Sequence, residues 1–193
     1  VLGFVQGNSS PCVFRHEVRG IVLNVHGDDF TAVGPKSQLD WYEAMMAEHY
    51  ELTTQPRLGP GADDAREAVV LNRIVRWTDE GIEYEADPRQ AEKLIAECGL
   101  SGANPVTTPG VRIPYSELEK DEKLEDRLGT PFRGAAARAN YLSADRVDCQ
   151  FAAKEICRWM ASPSEASWSA LKRMCRYLVG LPRLVFLYRW QEV

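Results

Sequence analysis

The stretch that most constrains the fold is "IVLNVHGDDFTAVG", in which two short β-rich runs, 21–25 and 30–34, flank a polar turn. A third run, "CVFRH" at 12–16, precedes them, so the three runs predict an antiparallel meander. The second turn of this meander holds Asp28 next to Asp29. Two carboxylates about 5 Å apart in an effective dielectric of about 20 repel each other by about 3 kcal/mol. The sequence therefore predicts a hairpin that concentrates negative charge at its tip.

Two interpretations of this acidic turn remain open. A solvated surface turn tolerates the repulsion because water and salt screen it. Alternatively, Mg²⁺ or Mn²⁺ removes the repulsion, since hard cations prefer oxygen ligands and take others from water and substrate phosphates. A two-metal phosphoryl transfer needs a carboxylate besides Asp28 and Asp29, and Glu17 in the preceding turn is a poor candidate. A metal-hydrolase site is not favoured, because the histidines have unrelated spacings: His16, His26 and His49.

Further strands and helices are predicted downstream. "REAVVLNRIVRW" and "IEYEA" are typical of two strands, joined into a hairpin by "TDEG". A Pro- and charge-rich stretch at 107–131 predicts a linker, and the pattern beyond it is helical throughout. Helical spacing and end signals predict helices at 37–52, 88–98, 132–144, 148–161 and 162–180. The fold class is therefore α+β, an antiparallel sheet with packed helices followed by a mostly helical region.

Capping residues mark two of these helices. Asp87 is expected to cap the helix at 88–98 and to form a capping box with Gln90. Ser162 and Glu165 are expected to do the same for the last helix. Aromatic and aliphatic residues at helical spacing predict core packing for Phe151, Ile156, Trp159 and Trp168.

The formal net charge is −5, and the charged residues are unevenly distributed along the chain. Residues 1–129 carry 13 basic and 23 acidic side chains, whereas residues 130–193 carry 10 and 5. Only the second part is therefore a candidate phosphate-binding surface. Within it, Lys172, Arg173 and Arg176 share one side of the last helix. This arrangement is typical either of a solvated face or of a contact with a nucleic-acid backbone.

The cysteines and the apolar runs bound the surroundings of the chain. Five cysteines without a CxxC pair indicate neither a disulfide framework nor a zinc site, and they favour a reducing, intracellular location. A cytoplasmic particle and the nucleus are not distinguished. No apolar run approaches the roughly 20 residues that span a bilayer, so no membrane partner is expected. The opening "VLGFVQG" lacks a Met, which predicts the interior of a longer protein.

Four stretches, in this order, carry a resemblance to a known family: "LGFVQGNSSPCVF", "VLNVHGDDFTAVG", "GIEYEADPRQAEKLIAECGLSGANPVTTP" and "FRGAAARANYLSADRVDCQFAAKEICRWMASPSEASWSALKRMCRYLVG". They resemble the reverse transcriptase region of copia-type LTR-retrotransposon Pol polyproteins. The first is similar to the segment that leads into the palm hairpin, and the second to the Tyr-Val-Asp-Asp motif with its flanks. The third resembles the run after the palm. The fourth resembles the segment before the RNase H domain, with its Arg-Pro-Asp-Ile motif.

The resemblance implies RNA-directed DNA polymerisation by a parent protein. Its partners would be an RNA/DNA template–primer, dNTPs and the remainder of the Pol polyprotein. Asp28 and Asp29 would bind Mg²⁺, while His26 and Gly27 replace the family's Tyr-Val beside the primer terminus. Trp77 falls on the hairpin that grips the primer in related polymerases, although a purely structural hairpin is the other interpretation.

The resemblance also divides the chain. Residues 1–106 would be the C-terminal part of the palm plus thumb-like elements, with a palm-type antiparallel sheet. Residues 107–131 would be a linker, and residues 132–193 a helical connection region that precedes an RNase H domain. Two departures from the family pattern lie in this last region: Phe132 stands where Tyr is usual, and Val147 where Pro is common.

The third metal-binding Asp of this family lies on a palm strand well upstream of the aspartate pair. We therefore expect it, and the fingers, to lie outside this chain, and we expect the isolated chain not to polymerise DNA. The alternative is a retrotransposon remnant without catalysis, acting at most as a nucleic-acid-binding or protein-interaction module.

Overall fold

The structure, a computed structural model, describes residues 2–114, 116 and 121–191. The chain forms two compact units, Val1–Pro56 and Arg57–Val193. The predicted linker at 107–131 includes residues 115 and 117–120, which lie outside the described residues. The assignment of 1–106, 107–131 and 132–193 to regions of a parent polymerase stays a prediction. The α+β class is confirmed, because both units contain an antiparallel sheet with helices.

The first unit is a four-stranded meander followed by one helix. Its strands pair consecutively in the order β1-β2-β3-β4, each antiparallel to the next. The predicted meander is therefore confirmed, with one additional short strand. The elements are β1 Val5–Gln6, β2 Val13–His16, β3 Ile21–His26, β4 Asp29–Val33 and α1 Lys36–Ala47.

One face of this sheet packs against α1. Alternate residues of β3, Ile21 and Leu23, join Tyr42, Met45 and Met46 of the helix in a buried cluster. Successive strand residues face opposite sides, so the residues between them lie on the other face of the sheet. The helix ends at Ala47 rather than at the predicted residue 52. Beyond the helix, Tyr50 is exposed, whereas Leu52 packs against this core.

The second unit combines a sheet with a helical core. The sheet has the antiparallel order β5-β6-β7-β8. Its strands are β5 Glu67–Val70, β6 Arg73–Trp77, β7 Gly81–Glu85 and β8 Val185–Arg189. The helices are α2 Pro88–Glu97, α3 Asp126–Ser143, a 3₁₀ turn Val147–Cys149, α4 Gln150–Cys157 and α5 Glu165–Gly180.

Two strand predictions in this unit are wrong. The run 66–77 is two strands joined at Leu71 and Asn72, which adopt φ of 48° and 67°. Positive φ at both loop residues is the pattern of a type I′ hairpin turn, for which this stretch lacks the usual Gly signal. The region beyond 131 is also not helical throughout. Strand β8 pairs there with β7, which lies about 100 residues earlier in the chain.

Helix α3 begins earlier than predicted. Residues 126–131, predicted as linker, form its first turns, and Pro131 lies inside it. The segment before the helix is held in place, because Leu124 N–H donates to Pro163 O at 3.0 Å. Phe132, the departure from the family's Tyr, is fully buried. Burial of this face therefore outweighs the loop signals of the sequence.

The capping predictions are partly wrong. Asp87 caps α2 through Arg89 N–H at 3.1 Å, but Gln90 donates to the Asp87 carboxylate and makes no capping box. In α5 the box is formed by Ser164 and Ser167, not by Ser162 and Glu165. The Ser164 N–H donates to Ser167 Oγ at 2.9 Å, and the Ser167 N–H donates to Ser164 Oγ at 3.2 Å.

The core of the second unit lies between its helices. Leu94, Phe132, Ile156, Leu171 and Met174 are among its fully buried members. The packing prediction is confirmed for Ile156 and for the two partly buried tryptophans, Trp159 and Trp168. It is wrong for Phe151, which is 60 % exposed, because α4 buries Ala152 and Ala153 instead.

Candidate functional site

The acidic turn is a two-residue hairpin loop. His26 pairs with Asp29 at the end of the β3–β4 ladder, so the loop consists of Gly27 and Asp28. Gly27 has φ of +64°, and Asp28 does not have a positive φ. A positive φ at the first loop position only is the pattern of a type II′ turn, which favours Gly there. A Cβ at Gly27 would meet no atom within 4 Å, so the tip is open to an approaching molecule.

The register fixes the side of the sheet on which Asp29 lies. Cross-strand partners share a face, so Asp29 lies on the same face as His26. Ile21 and Leu23 occupy the opposite face, which packs on α1. Asp29 and His26 therefore lie on the face away from the core, next to the exposed Asp28 at the tip.

In the described part of the chain, no basic side chain pairs with these aspartates. Among the described residues, neither the Asp28 nor the Asp29 carboxylate has a hydrogen bond or an ion pair. Carboxylate oxygens are the ligand type that Mg²⁺ prefers. The part of the chain that the structure describes nevertheless contains no group of three or more His, Cys, Asp or Glu placed to hold a metal ion. The two aspartates fit Mg²⁺ in ligand chemistry but supply only part of a donor set.

The other two histidines lie away from this tip. His16 is buried in the core of the first unit, with its ring edge-on to Phe4 and Trp41 at centroid distances of 5.2 and 5.6 Å. Its Nδ1 accepts from Arg19 N–H at 3.4 Å. His49 is exposed beyond the end of α1. These contacts give His16 a structural role in the core of the first unit.

Trp77 lies at the end of β6 in the second unit. Its ring packs against Trp190 with centroids 4.5 Å apart and planes at 42°. Trp190 Nε1 donates to Thr78 O at 3.1 Å, which fixes this pair at the turn before β7. Trp77 therefore has a structural contact, and its role near a primer stays a prediction.

The predicted cationic group is partly engaged within the chain. Arg173 donates to Thr108 Oγ1 at 2.8 Å, and Arg176 donates to Asn104 O at 2.8 Å. These two hydrogen bonds attach the segment that follows α2 to helix α5. Lys172, Arg173 and Arg176 are all half-buried. Their contact with nucleic acid stays a prediction.

A buried guanidinium was not foreseen from the sequence. Arg146 is 1 % exposed and donates to both oxygens of Asp148 at 2.9 and 2.7 Å. It also donates to the carbonyls of Leu181 and Pro182, just before β8, at 3.0 and 3.1 Å. Arg146 and Asp148 occupy the first and third positions of the stretch that resembles Arg-Pro-Asp-Ile. Arg146 thus joins Asp148 to the residues before β8, an arrangement that we call the Arg146 clamp.

A second buried charge lies in the second sheet. Glu85 is 1 % exposed, and its carboxylate accepts from Arg76 at 2.9 Å and from Arg183 at 2.7 Å. The Arg183 hydrogen bond is the main cause that lowers the pKa of Glu85, against the opposing effect of burial. Removing one member of such a buried pair would leave the other charge uncompensated, so these groups serve the fold.

Comparison with known proteins gives three relatives. The retrovirus-related Pol polyproteins from transposons RE2 and RE1 of Arabidopsis thaliana are 36 % and 37 % identical over 89 residues. These residues are 46 % of this chain and 6 % of either relative, so the chain spans a small part of their length. The uncharacterized mitochondrial protein AtMg00810 of the same plant is 27 % identical over 97 residues, 50 % of this chain and 39 % of the relative.

Two other comparisons give nothing. No protein-family model matches the chain. No solved structure matches it.

None of the helices in residues 2–114, 116 and 121–191 is long and apolar enough to cross a membrane. The polyprotein similarity confirms the resemblance drawn from the sequence, and the chain is related to a segment of copia-type retrotransposon Pol polyproteins.

Proposed function

We propose that this chain is part of an RNA-directed DNA polymerase, the reverse transcriptase of a copia-type retrotransposon. One observation carries the proposal: a chain related to Pol polyproteins displays two adjacent carboxylates, free of ion pairs in the described structure, at the open tip of a β-hairpin. A pair of charges that the fold does not use is available to a ligand. In this proposal residues 1–106 belong to the palm and residues 132–193 to the connection region.

The hairpin would act by holding oxygen ligands in a fixed position. Asp28 and Asp29 are anchored by the β3–β4 ladder, and the type II′ turn keeps the tip short. Bound Mg²⁺ would activate a primer 3′-hydroxyl and stabilise the leaving pyrophosphate. His26 lies beside Asp29 on the open face, where its ring can stack or donate to a primer terminus. The open space at Gly27 admits the substrate.

A third carboxylate from a segment outside these 193 residues would complete the donor set. Two aspartates alone bind Mg²⁺ weakly, because most of its ligands stay water. We therefore expect purified residues 1–193 to give no template-dependent nucleotide incorporation with Mg²⁺ or Mn²⁺. Detectable incorporation by the purified chain would disprove this expectation.

The metal site is testable without catalysis. Paramagnetic Mn²⁺ should broaden the backbone amide NMR signals of residues 26–30 selectively, and Asp29→Asn should abolish this effect. Asp79→Asn is the matched control, because Asp79 is an exposed acid beside Glu80 in the turn between β6 and β7. This control should leave the broadening at 26–30 unchanged. Equal broadening at both turns, or none at 26–30, would contradict the metal site.

A second candidate is a remnant without catalysis that binds nucleic acid or another protein. The incomplete donor set in the described residues favours it. In this case Asp29→Asn changes nothing, and any affinity for an RNA/DNA hybrid depends on Lys172, Arg173 and Arg176. Because each neutralised phosphate releases counterions, this affinity should fall steeply between low and moderate salt. Salt-independent affinity would exclude that use of the three cations.

A further inference from the structure

Two cysteines of the second unit meet at one backbone carbonyl. Cys98 is the residue that ends α2, and its N–H donates to Leu94 O at 3.2 Å. Cys175 lies on α5, and its Sγ donates to the same oxygen at 3.8 Å. The packing of α2 against α5 therefore places the Cys175 thiol beside Cys98, which lies 77 positions earlier in the sequence.

The two thiols differ in their access to solvent. Cys175 is fully buried, whereas Cys98 is half-buried. The neighbouring Cys175 thiol is the main cause that lowers the pKa of Cys98. Burial and Glu97 oppose this shift, and Lys172 favours it. A lowered pKa and partial exposure are the two properties that favour reactivity in a cysteine, and Cys98 has both.

The remaining cysteines lack this combination. Cys149 is fully buried, and burial raises its pKa to about 12. The Cys157 thiol donates to Ala136 O at 3.5 Å, and burial raises its pKa. Cys12 is exposed but lies in the first unit. Among the five free cysteines, Cys98 and Cys175 are the two that share an acceptor, because the Cys98 N–H and the Cys175 thiol both donate to Leu94 O.

We propose that Cys98 and Cys175 are a peroxide-sensitive dithiol, in which Cys98 is oxidised first and Cys175 resolves it to a disulfide between α2 and α5. In a reducing compartment such a bond is transient and reports oxidative conditions. The site is independent of Asp28 and Asp29, so it does not rest on the polymerase proposal.

The chemistry balances with a hydroperoxide as the oxidant. The Cys98 thiolate attacks one peroxide oxygen, the O–O bond breaks, and a Cys98 sulfenic acid forms with release of hydroxide. The hydroxide takes the proton of the Cys175 thiol. The Cys175 sulfur then attacks the Cys98 sulfur, and the S–O bond breaks with loss of hydroxide, which is protonated to water. Two thiols and one hydrogen peroxide thus give one disulfide and two waters.

The disulfide would stabilise the second unit. It closes a loop of about 77 residues and so removes conformational freedom from the unfolded chain. For a chain of this size we expect the Tm of the second unit to rise by roughly 5–10 °C. Reduction with dithiothreitol should reverse the shift.

The test uses the full chain with Cys12→Ser, which removes the exposed thiol that would otherwise link two molecules. Treatment with hydrogen peroxide should lower the intact mass by two hydrogens and protect two cysteines from alkylation. Peptide mapping without reductant should then give one cross-linked species that contains residues 98 and 175. The Tm rise should accompany it.

Cys98→Ser and Cys157→Ser provide the decisive pair of variants. Cys98→Ser should lose both the cross-link and the Tm rise, and as a half-buried position it should remain folded. Cys157→Ser is the matched control, because it removes another half-buried thiol and should keep both effects. Stable sulfinic acid at Cys98, a disulfide between other cysteines, or no oxidation by peroxide would overturn the proposal.

Discussion

The two sheets share an architecture but use charge in opposite ways. Both have four antiparallel strands in consecutive spatial order. In the second sheet, Arg76 reaches Glu67 and Glu85 at 2.7 and 2.9 Å, so acids and bases are balanced within the sheet. In the first sheet, the described structure gives Asp28 and Asp29 no such partner. Among the described residues, charge is therefore paired within the fold in the second sheet and unpaired at the acidic turn of the first.

Substitution should affect the two regions unequally. Removing a paired buried charge leaves its partner desolvated and unsatisfied, which costs several kcal/mol. Removing a solvated, unpaired charge changes stability little. Four measurements follow from this difference, in order of decreasing expected effect.

Arg146→Met should have the largest effect. It removes the guanidinium that binds Asp148 and the two carbonyls before β8. The half-buried Asp148 carboxylate would lose its main partner, so the free energy of unfolding should fall by about 3–5 kcal/mol. Urea denaturation of the second unit, followed by tryptophan fluorescence, measures the change.

Arg158→Met is the matched control for this change. Arg158 is an exposed arginine with one ion pair, to Glu155 at 3.0 Å. Its loss should cost less than about 1 kcal/mol. Equal effects of the two variants would show that the Arg146 clamp contributes nothing beyond a surface pair.

Glu85→Gln should have the next largest effect. The amide keeps the shape of the carboxylate but removes the negative partner of Arg183 and one of the two close negative partners of Arg76, which keeps Glu67. We expect a loss of about 2–3 kcal/mol in urea denaturation. Glu83→Gln is the control on the same strand, because Glu83 approaches Arg76 only to 3.8 Å, and it should cost less than about 0.5 kcal/mol.

Low pH should destabilise the second sheet because it protonates Glu85. The pKa of Glu85 is lower in the folded chain than in the unfolded chain, mainly because of the Arg183 hydrogen bond. Its contribution is therefore present above the unfolded pKa of about 4.3 and is lost as the pH falls through the lower folded value. The unfolding free energy of wild type should fall more steeply with acid than that of Glu85→Gln. Parallel pH curves would contradict this role.

Asp29→Asn should have the smallest effect. It relieves repulsion from Asp28, so we expect a stabilisation of the first unit of at most about 0.5 kcal/mol, which disappears at high salt. Asp79→Asn is the control in the second sheet. Its neighbour Glu80 is already paired with Arg189 at 3.3 Å, so no gain is expected there. A loss of stability in Asp29→Asn would mean that the first hairpin uses its charge for folding.

Local signals in the sequence predicted the elements they control. The β3–β4 hairpin follows from two β-rich runs around Gly27, and α2 follows from Asp87 and Gly99 at its ends. The Leu71–Asn72 turn was missed because neither residue is a Gly, and the capping box was misplaced because residues 162–167 contain three serines. Strand β8 was missed because its pairing depends on a distant partner.

Of the charged clusters in this chain, the sequence alone predicted only the pair of adjacent aspartates. Asp28 and Asp29 stand out because adjacent carboxylates between buried runs are costly. The Arg146 and Glu85 clusters were not found, because their partners lie up to 98 residues away and no spacing rule connects them. Sequence periodicity reports neighbours on one element, whereas these clusters form only when separate elements pack.

The pairing of β7 with β8 has a consequence for the order of folding during synthesis. Strands β1 to β4 pair only with their sequence neighbours, so the first sheet can form as soon as its residues have emerged. The second sheet must wait, because Gly81 pairs with Arg189 about 100 residues later. At roughly 5–20 residues per second, the open edge of β7 would stay unpaired for about 5–20 seconds during translation. During this interval the edge is open to pairing with a chaperone or with a second nascent chain.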